Sequence, residues 1–103
     1  MEISVYILRC ADGSYYVGNT RRVLEERVSE HMQGLVRGYT STRRPVELVY
    51  AEAMDSLVGA FERERQLKGW SRAKKEVLIN AKPGLLPDLS SRGPAKRRYP
   101  AER

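Results

Sequence analysis

The chain has very few of the side chains from which most zinc and redox sites are built. Cys10 is its one cysteine and His31 its one histidine. An intrachain disulfide is therefore excluded, and so is a zinc site made of clustered cysteine and histidine ligands. Because a lone cysteine in a strand is usually a packing residue, we expect Cys10 to lie in the core.

Long hydrophobic runs are missing as well. The apolar segment nearest the start runs from Val5 to Leu8 and is flanked by Glu2 and Arg9. It is too short for a signal peptide or for a helix that spans a membrane. We therefore expect a cytoplasmic protein without a membrane partner.

Positive charge is what the chain has in excess. Its 103 residues include 19 Lys and Arg against 13 Asp and Glu, which gives a formal net charge of +6 and an isoelectric point near 9.8. Such a charge favours a polyanionic partner such as nucleic acid or an anionic membrane surface, and charge alone does not choose between them. The length suits one domain, which we expect at 1–83. Residues 84–103 carry several prolines and a surplus of basic side chains, and we expect them to form an irregular basic tail.

Turn residues and hydrophobic periods predict the element order ββαβαα. Segments rich in β-branched and aromatic residues flank Ala11-Asp12-Gly13, which is typical of a hairpin. Leu24, Val28, His31 and Leu35 then follow a helical period. The predicted strands are 3–10, 14–18 and 46–52, and the predicted helices are 22–35, 54–68 and 71–81, the last capped by Ser71.

Two tyrosine triplets lie on the two arms of the hairpin. They are Ser4-Val5-Tyr6 and Tyr16-Val17-Gly18, and they are followed in order by Thr20, Arg27, His31 and Glu64. This ordered set resembles the GIY-YIG nuclease superfamily over roughly residues 3–83. The chain is similar to the small stand-alone bacterial and archaeal members, and to the N-terminal nuclease domain of the excinuclease of nucleotide-excision repair. Ser4 departs from the pattern, because the family usually has glycine there.

The resemblance implies an α/β fold in which a three-stranded, mainly antiparallel sheet is flanked by helices. It also implies hydrolysis of a nucleic-acid phosphodiester, with DNA as the expected substrate and Mg²⁺ or Mn²⁺ as the cofactor. The side chains that it assigns to catalysis are Tyr6, Tyr16, Arg27, His31 and Glu64, of which Glu64 is the expected metal ligand.

The chemistry of the two tyrosines fits this assignment. A phenol can position water by hydrogen bonding, and a nearby cation can lower its pKa from about 10 far enough for it to take a proton. We expect Tyr6 to be the general base and Tyr16 to be a positioning donor, although the two roles could be exchanged. The alternative for both is ordinary packing in a strand.

Arg27 and His31 are four residues apart and so project from the same face of the predicted helix. A guanidinium suits phosphoryl oxygens that gain charge in a transition state. The alternative for Arg27 is an ion pair with Glu30 or Glu26. We expect His31 to donate a hydrogen bond to the phosphate or to a tyrosine, unless it lies at the rim of the helix.

Glu64 follows Leu57 by seven residues and Phe61 by three, which predicts that it lies on the helix face that packs on the sheet. A buried carboxylate needs a cation beside it. The candidates are a salt bridge with Arg27 or Lys68, and a divalent metal. One carboxylate suits Mg²⁺, which keeps several waters and takes its other contacts from a substrate phosphate.

Two basic clusters, in the loop before the last strand and around the junction of the last two helices, are candidates for binding a phosphate backbone. We expect Trp70, at that junction, to be a hydrophobic anchor rather than a base-stacking residue. The expected nucleic-acid-binding residues are Arg43, Arg44, Arg63, Lys68, Arg72, Lys74 and Lys75.

Two other functions remain open at this stage. Ser4 would suit a nucleic-acid-binding module of the same fold with little or no turnover. The basic tail would suit an adaptor that recruits an acidic protein partner or a larger nuclease complex.

The hairpin decides whether the two tyrosines can share a site. A two-residue Asp12-Gly13 turn would put Tyr16 on the opposite face from Tyr6. A three-residue loop with its glycine in the left-handed region would pair Tyr6 with Gly18 and place both phenols on one face. We predict the three-residue loop, with Gly18 keeping the space across from Tyr6 clear for a phosphate or a water.

Overall fold

The computed structural model describes residues 2–81, in which three strands form one antiparallel sheet. The strand order is β2-β1-β3, so the first strand is central. The elements are β1 (Ile3–Arg9), β2 (Tyr15–Thr20), α1 (Leu24–Gln33), β3 (Glu47–Met54), α2 (Leu57–Lys68) and α3 (Arg72–Ala81). The predicted order ββαβαα and the three-stranded sheet are confirmed. The predicted tail, 84–103, and its boundary lie outside the described residues.

The hairpin between β1 and β2 has the predicted three-residue loop. Cys10 N donates to Ser14 O at 2.8 Å, and Gly13 has a φ of 86°. This left-handed conformation strains any residue with a Cβ. The loop sets the register of the two strands, in which Tyr6 lies opposite Gly18. The two phenols are therefore on the same face of the sheet.

Strand β1 is buried on both faces, which explains its unbroken apolar sequence. Val5 and Ile7 belong to a core on the face that α2 covers, together with Ala60 and Leu67. We call this the α2 face. Tyr6, Leu8 and Cys10 point the other way into a second core that includes Val28 of α1, and we call that the α1 face. The expectation that Cys10 is a core residue is confirmed.

A β-bulge in strand β3 keeps its apolar side chains facing the two cores. Ile7 pairs with Tyr50 and Leu8 pairs with Leu48, so Val49 is an extra residue between them. Val49 and Tyr50 both join the core of the α2 face. Without the bulge, the alternation of side chains would turn one end of β3 to the wrong face.

The helices differ from the prediction in where their apolar residues lie. Helix α1 ends at Gly34, whose φ of 79° stops it, and Leu35 beyond it is 65% exposed. Leu57 and Phe61 of α2 are exposed as well, so the predicted packing face of that helix was wrong. The buried residues of α2 are instead Ala60 and Leu67, seven positions apart, because a small residue lets the helix approach the sheet closely.

The junction of α2 and α3 is anchored as expected. Trp70 packs against the core of the α2 face, and Ser71 caps α3 by accepting from Lys74 N at 3.1 Å. The described helices, at most 12 residues long, are too short to cross a bilayer.

The two glycines Gly13 and Gly59 provide a test of the loop. A Cβ on Gly13 would meet no atom closer than 3.8 Å, so Gly13→Ala isolates the conformational strain, and we expect it to lower the free energy of unfolding by about 1 kcal/mol. Gly59→Ala, inside α2 with its nearest contact at 3.6 Å, should raise it by about 0.5–1 kcal/mol. Urea unfolding of both variants measures the two signs. A Gly13→Ala variant as stable as the parent would contradict the left-handed loop.

Candidate active site

Tyr6 and Tyr16 lie side by side on the α1 face with Gly18 beneath them. Their ring centroids are 6.4 Å apart. A Cβ on Gly18 would lie 2.8 Å from Tyr6 Oη and 3.0 Å from Tyr16 Cε2, closer than side chains tolerate. The prediction that Gly18 keeps the space across from Tyr6 clear for a phosphate or a water is therefore wrong. The Tyr6 phenol itself fills that space, and Gly18 makes this possible.

The hydroxyl of Tyr6 begins a buried chain of polar side chains. Tyr6 Oη lies 2.9 Å from His31 Nε2, and His31 Nδ1 lies 2.8 Å from Thr40 Oγ1. All three residues are buried. Both nitrogens of His31 are thus engaged, so the structure favours a tyrosine rather than a phosphoryl oxygen as its partner. His31 is also not a rim residue of the helix.

Burial keeps His31 and Tyr6 uncharged. Desolvation, together with the positive charge of Arg27, lowers the pKa of His31 from 6.5 to about 4. Desolvation also raises the pKa of Tyr6 to about 12; the nearby guanidinium of Arg27 opposes this rise, whereas Tyr16 and Glu64 add to it. At neutral pH the imidazole is therefore neutral and the phenol is protonated.

Of the two acidic partners that the sequence offered to Arg27, Glu30 is the one with which it pairs. Arg27 Nη1 lies 3.1 Å from Glu30 Oε1, and the guanidinium is close enough to the Tyr6 hydroxyl to oppose the rise in the pKa of that phenol. Glu30 is shared with Arg22, at 2.6 Å. The pairing with Glu30 orients the guanidinium, whose side chain remains partly exposed beside the phenol.

Glu64 belongs to helix α2, which covers the face of the sheet opposite the two phenols. It lies between Ala60 and Leu67 on the buried stripe of α2, so its side chain is only 18% exposed, although the neighbours that predicted this are themselves exposed. Its carboxylate accepts a hydrogen bond from Asn19 Nδ2 of β2 and lies 2.7 Å from Lys68 Nζ. Of the cations that the sequence offered, Lys68 is the one that pairs with it.

The order and spacing of these residues can now be set beside known proteins. The family model described as the GIY-YIG catalytic domain matches residues 2–77. The chain belongs to the GIY-YIG family. This confirms the resemblance that the two tyrosine triplets carry.

Several relatives of the same small size support this membership. A UPF0213 protein of Natronomonas pharaonis is 49% identical over 80 residues, which are 78% of this chain and 93% of that protein. A UPF0213 protein of Staphylococcus saprophyticus is 43% identical over 76 residues, covering 74% and 92%. The solution NMR structure of a UPF0213 protein of Bacillus halodurans is 40% identical, with a TM-score of 0.51 over 78% of this chain and 84% of that one.

The number and kind of side chains around Glu64 limit which metal ions could bind there. Within residues 2–81, no group of three or more His, Cys, Asp or Glu side chains is close enough to bind one ion. That composition does not suit zinc, which takes three or four protein ligands. A single, partly buried carboxylate fits Mg²⁺ or Mn²⁺, which take oxygen ligands and keep several waters.

The basic residues of the two clusters are mostly engaged in contacts within the chain. Arg63 is partly buried, pairs with Glu52 at 2.7 Å and lies beside Trp70. Arg72 pairs with Glu76 at 3.0 Å but remains exposed. Lys68 pairs with Glu64, Lys74 lies over the Trp70 ring, Arg43 pairs with Asp12, and Arg44 donates to the carbonyls of Met32 and Ser41. Lys75 is half-buried on α3.

The loop between α1 and β3 closes over the tyrosines. Tyr39 stacks on Tyr16 with ring centroids 6.2 Å apart, and the guanidinium of Arg43 covers the Tyr39 ring at 3.8 Å. Arg43 also pairs with Asp12 at 3.2 Å, and its carbonyl accepts from Ala11 N at 2.9 Å. The hairpin that carries the tyrosines therefore also holds this loop.

Two residues of the site have no signal in the sequence. Thr40 lies in the polar segment 39–44, which has several hydroxyl side chains, and no periodicity in the sequence shows which of them is buried. Asn19 stands next to Thr20 in a strand and reveals its contact only when α2 packs against β2. Both are found by the tertiary structure alone.

The low pKa of His31 predicts a pH dependence of stability. The unfolded chain binds a proton near pH 6.5 and the folded chain only near pH 4, so stability falls as the pH drops through this window. Between pH 7 and pH 5 we expect a loss of roughly 1–2 kcal/mol. The carboxyl groups of Asp12 and Glu30 titrate below this range, since their pKa values are lowered from 3.8 and 4.5.

Urea unfolding at the two pH values measures this loss, and His31→Gln is the matched control. Glutamine retains a donor and an acceptor but does not titrate, so the variant should lose the difference between pH 7 and pH 5. An equal pH dependence in both proteins would show that His31 is not the group responsible.

Proposed function

We propose that this chain is a divalent-metal-dependent endonuclease that hydrolyses phosphodiester bonds of nucleic acid, with DNA as the expected substrate. One observation carries the proposal. The Tyr6 hydroxyl is hydrogen-bonded to His31 Nε2 at 2.9 Å and its ring packs beside that of Tyr16, and Arg27 and Glu64 both lie close enough to shift its pKa. These side chains come from two strands and two helices, and their convergence supplies an acid–base group, a cation and a metal ligand at one place.

Each side chain then has a role that its surroundings support. In its ionised form, Tyr6 takes the proton of the water that attacks phosphorus in line with the leaving oxygen. Its high pKa means that added positive charge beside Oη is needed before it can do so. Tyr16, which is partly exposed, positions the water or the phosphate, and Arg27 donates hydrogen bonds to phosphoryl oxygens as their charge grows.

Glu64 would hold the metal through its carboxylate oxygens. A bound Mg²⁺ or Mn²⁺ would supply Lewis-acid stabilisation of the charge on the phosphoryl and leaving oxygens. Asn19 hydrogen-bonds to the same carboxylate and restrains its orientation. Lys68 is exposed, so its ion pair with Glu64 contributes little and can open when a stronger cation arrives.

The exposed and half-buried basic residues of the two clusters supply affinity for the nucleic-acid backbone. Their ion pairs with Asp12 and Glu76 are at the surface, where such pairs are weak and phosphates can replace the carboxylates. Arg63 is the exception, because its pairing with Glu52 is partly buried. We therefore assign backbone binding to Arg43, Arg44, Lys68, Arg72, Lys74 and Lys75.

The pairing of Lys68 with Glu64 also supports a second candidate function. A carboxylate that is already neutralised at 2.7 Å is what a nucleic-acid-binding module without turnover would have. The two functions differ in one property, which is cleavage.

Incubating the purified chain with labelled single-stranded, duplex and branched DNA and RNA, with Mg²⁺, Mn²⁺ or a chelator, separates them. The nuclease cleaves at least one substrate with metal and none with the chelator. Tight binding of these substrates without cleavage under any metal condition would contradict the nuclease and support the binding module.

Glu64 has a matched control two positions away. Glu64→Gln preserves the shape of the side chain but removes the charge that holds a cation, so we expect metal-dependent cleavage to be abolished and nucleic-acid binding to stay within a few-fold. Glu62→Gln makes the same charge change at an exposed position of α2 and should cleave normally. Cleavage that survives Glu64→Gln would remove Glu64 from the mechanism.

Arg27 is tested by comparing turnover with binding. Arg27→Ala removes a preorganised donor where charge develops, and we expect turnover to fall by about 100-fold to 1,000-fold. Binding should weaken only modestly, because Arg27 is one phosphate contact among many. Arg21→Ala, at an exposed position before α1, controls for the loss of one positive charge. Equal losses of binding and turnover would make Arg27 a backbone contact only.

A further inference from the structure

Asn19 is a second polar side chain at the carboxylate of Glu64. It is half-buried on the edge strand β2, and its Nδ2 donates a hydrogen bond to Glu64 Oε1. Because side chains alternate along a strand, Asn19 faces α2, whereas its neighbour Gly18 lies on the α1 face beneath the phenols. A strand and a helix thus bring an amide and a carboxylate into direct contact at the edge of the sheet.

The amide oxygen of Asn19 is available to a ligand. Within residues 2–81 the side chain makes one hydrogen bond, the one to Glu64, and it makes it through Nδ2. The lone pairs of Oδ1 are therefore not used by the described part of the chain. A half-turn of the last side-chain torsion exchanges the two ends of the amide. The same side chain can therefore present a nitrogen to a bare carboxylate, or an oxygen to a cation that the carboxylate binds.

The carboxylate of Glu64 already has a cation at its other oxygen. Lys68 Nζ lies 2.7 Å from Glu64 Oε2, and the side chain of Lys68 is 55% exposed. An exposed ammonium is held weakly and can move into water. The surroundings of Glu64 therefore accept positive charge, and the partner that holds this place can leave when a divalent ion arrives.

We propose that Asn19 is a second protein ligand of the divalent ion at Glu64, with its amide turned so that Oδ1 rather than Nδ2 faces the carboxylate. Mg²⁺ and Mn²⁺ take oxygen ligands, and carbonyl oxygens suit them as well as carboxylates do. A neutral amide adds a ligand without cancelling the charge of the ion. The bound ion therefore keeps a net positive charge, which favours a phosphodiester as a further ligand.

The two ligands come from different elements, and this fixes where the ion is held. Glu64 belongs to α2 and Asn19 to β2, so an ion bound by both is tied to the edge of the sheet. A carboxylate alone would set only its distance from the helix. The role of this ion in cleavage rests on the proposed function, whereas its binding by Asn19 does not.

The amide of Asn19 reports which of its ends faces the carboxylate. In a chain labelled with ¹³C and ¹⁵N, without nucleic acid, saturating Mg²⁺ should shift the Asn19 Cγ signal and move the Nδ2 proton signals upfield, because the nitrogen gives up its hydrogen bond to Glu64. In Glu64→Gln, Mg²⁺ should leave these signals in place. An amide that only orients the carboxylate keeps its hydrogen bond, so Nδ2 signals that do not respond to Mg²⁺ in the parent chain overturn the proposal.

Mn²⁺ measures the affinity of the same site, because it broadens the backbone signals of residues 18–20 and 63–65 when it binds there. Asn19→Leu keeps the shape of the side chain without its oxygen and should weaken Mn²⁺ binding by about tenfold, whereas Asn19→Asp should strengthen it by about the same factor. Asn80→Leu, at an exposed position of α3, should leave it unchanged.

Equal Mn²⁺ affinities of the parent chain and Asn19→Leu would also overturn the proposal. If Asn19→Leu does not fold, the response of the parent amide to Mg²⁺ decides it. Cleavage assays separate the proposal from the proposed function. An amide that turns with Mg²⁺ while no nucleic acid is cleaved supports the second ligand and overturns the nuclease. Metal-dependent cleavage by a chain whose Asn19 amide stays bonded to Glu64 overturns the second ligand alone.

Discussion

The register of β1 and β2 sets Gly18 directly opposite Tyr6, and the rest of the candidate site depends on this pairing. Because Gly18 has no Cβ, the Tyr6 phenol lies over the neighbouring strand, where it reaches His31 and packs beside Tyr16. A slip of one residue would turn Tyr16 to the other face of the sheet. The three-residue loop therefore sets the register of the hairpin and, through it, places the two phenols on one face.

The site joins groups from both faces of the sheet, and each face contributes a different kind. The α1 face supplies the two phenols and the neutral imidazole, and burial raises the pKa of Tyr6 and lowers the pKa of His31. The α2 face supplies the carboxylate of Glu64, which meets Asn19 of the edge strand β2. Arg27 is the cation whose charge opposes the rise in the pKa of Tyr6, and it is paired with Glu30. Tyr6 is buried beside the uncharged His31, and Arg27 alone does not bring its pKa down to neutral pH. Ionisation of Tyr6 therefore needs further positive charge in the site.

The sequence was sufficient for the elements, the hairpin loop and the shared face of the tyrosines, because these depend on local turn chemistry and on periods of two or 3.6 residues. It was insufficient for the packing face of α2, where Leu57 and Phe61 are exposed and the small Ala60 is buried. Hydrophobicity alone does not tell which residue lets a helix approach a sheet. Thr40 could not be found either, since its burial depends on contacts between its loop and a distant hairpin.

The central claim is that Arg27 on α1 and Glu64 on α2 act in one hydrolytic site, and a double-mutant cycle tests it most directly. Single-turnover cleavage would be measured for Arg27→Lys, Glu64→Asp and the double variant, because these conservative changes are expected to leave measurable rates. If both side chains act on one transition state, the loss in the double variant is smaller than the product of the two single losses. A loss equal to that product would show that the two residues act independently and would contradict the account.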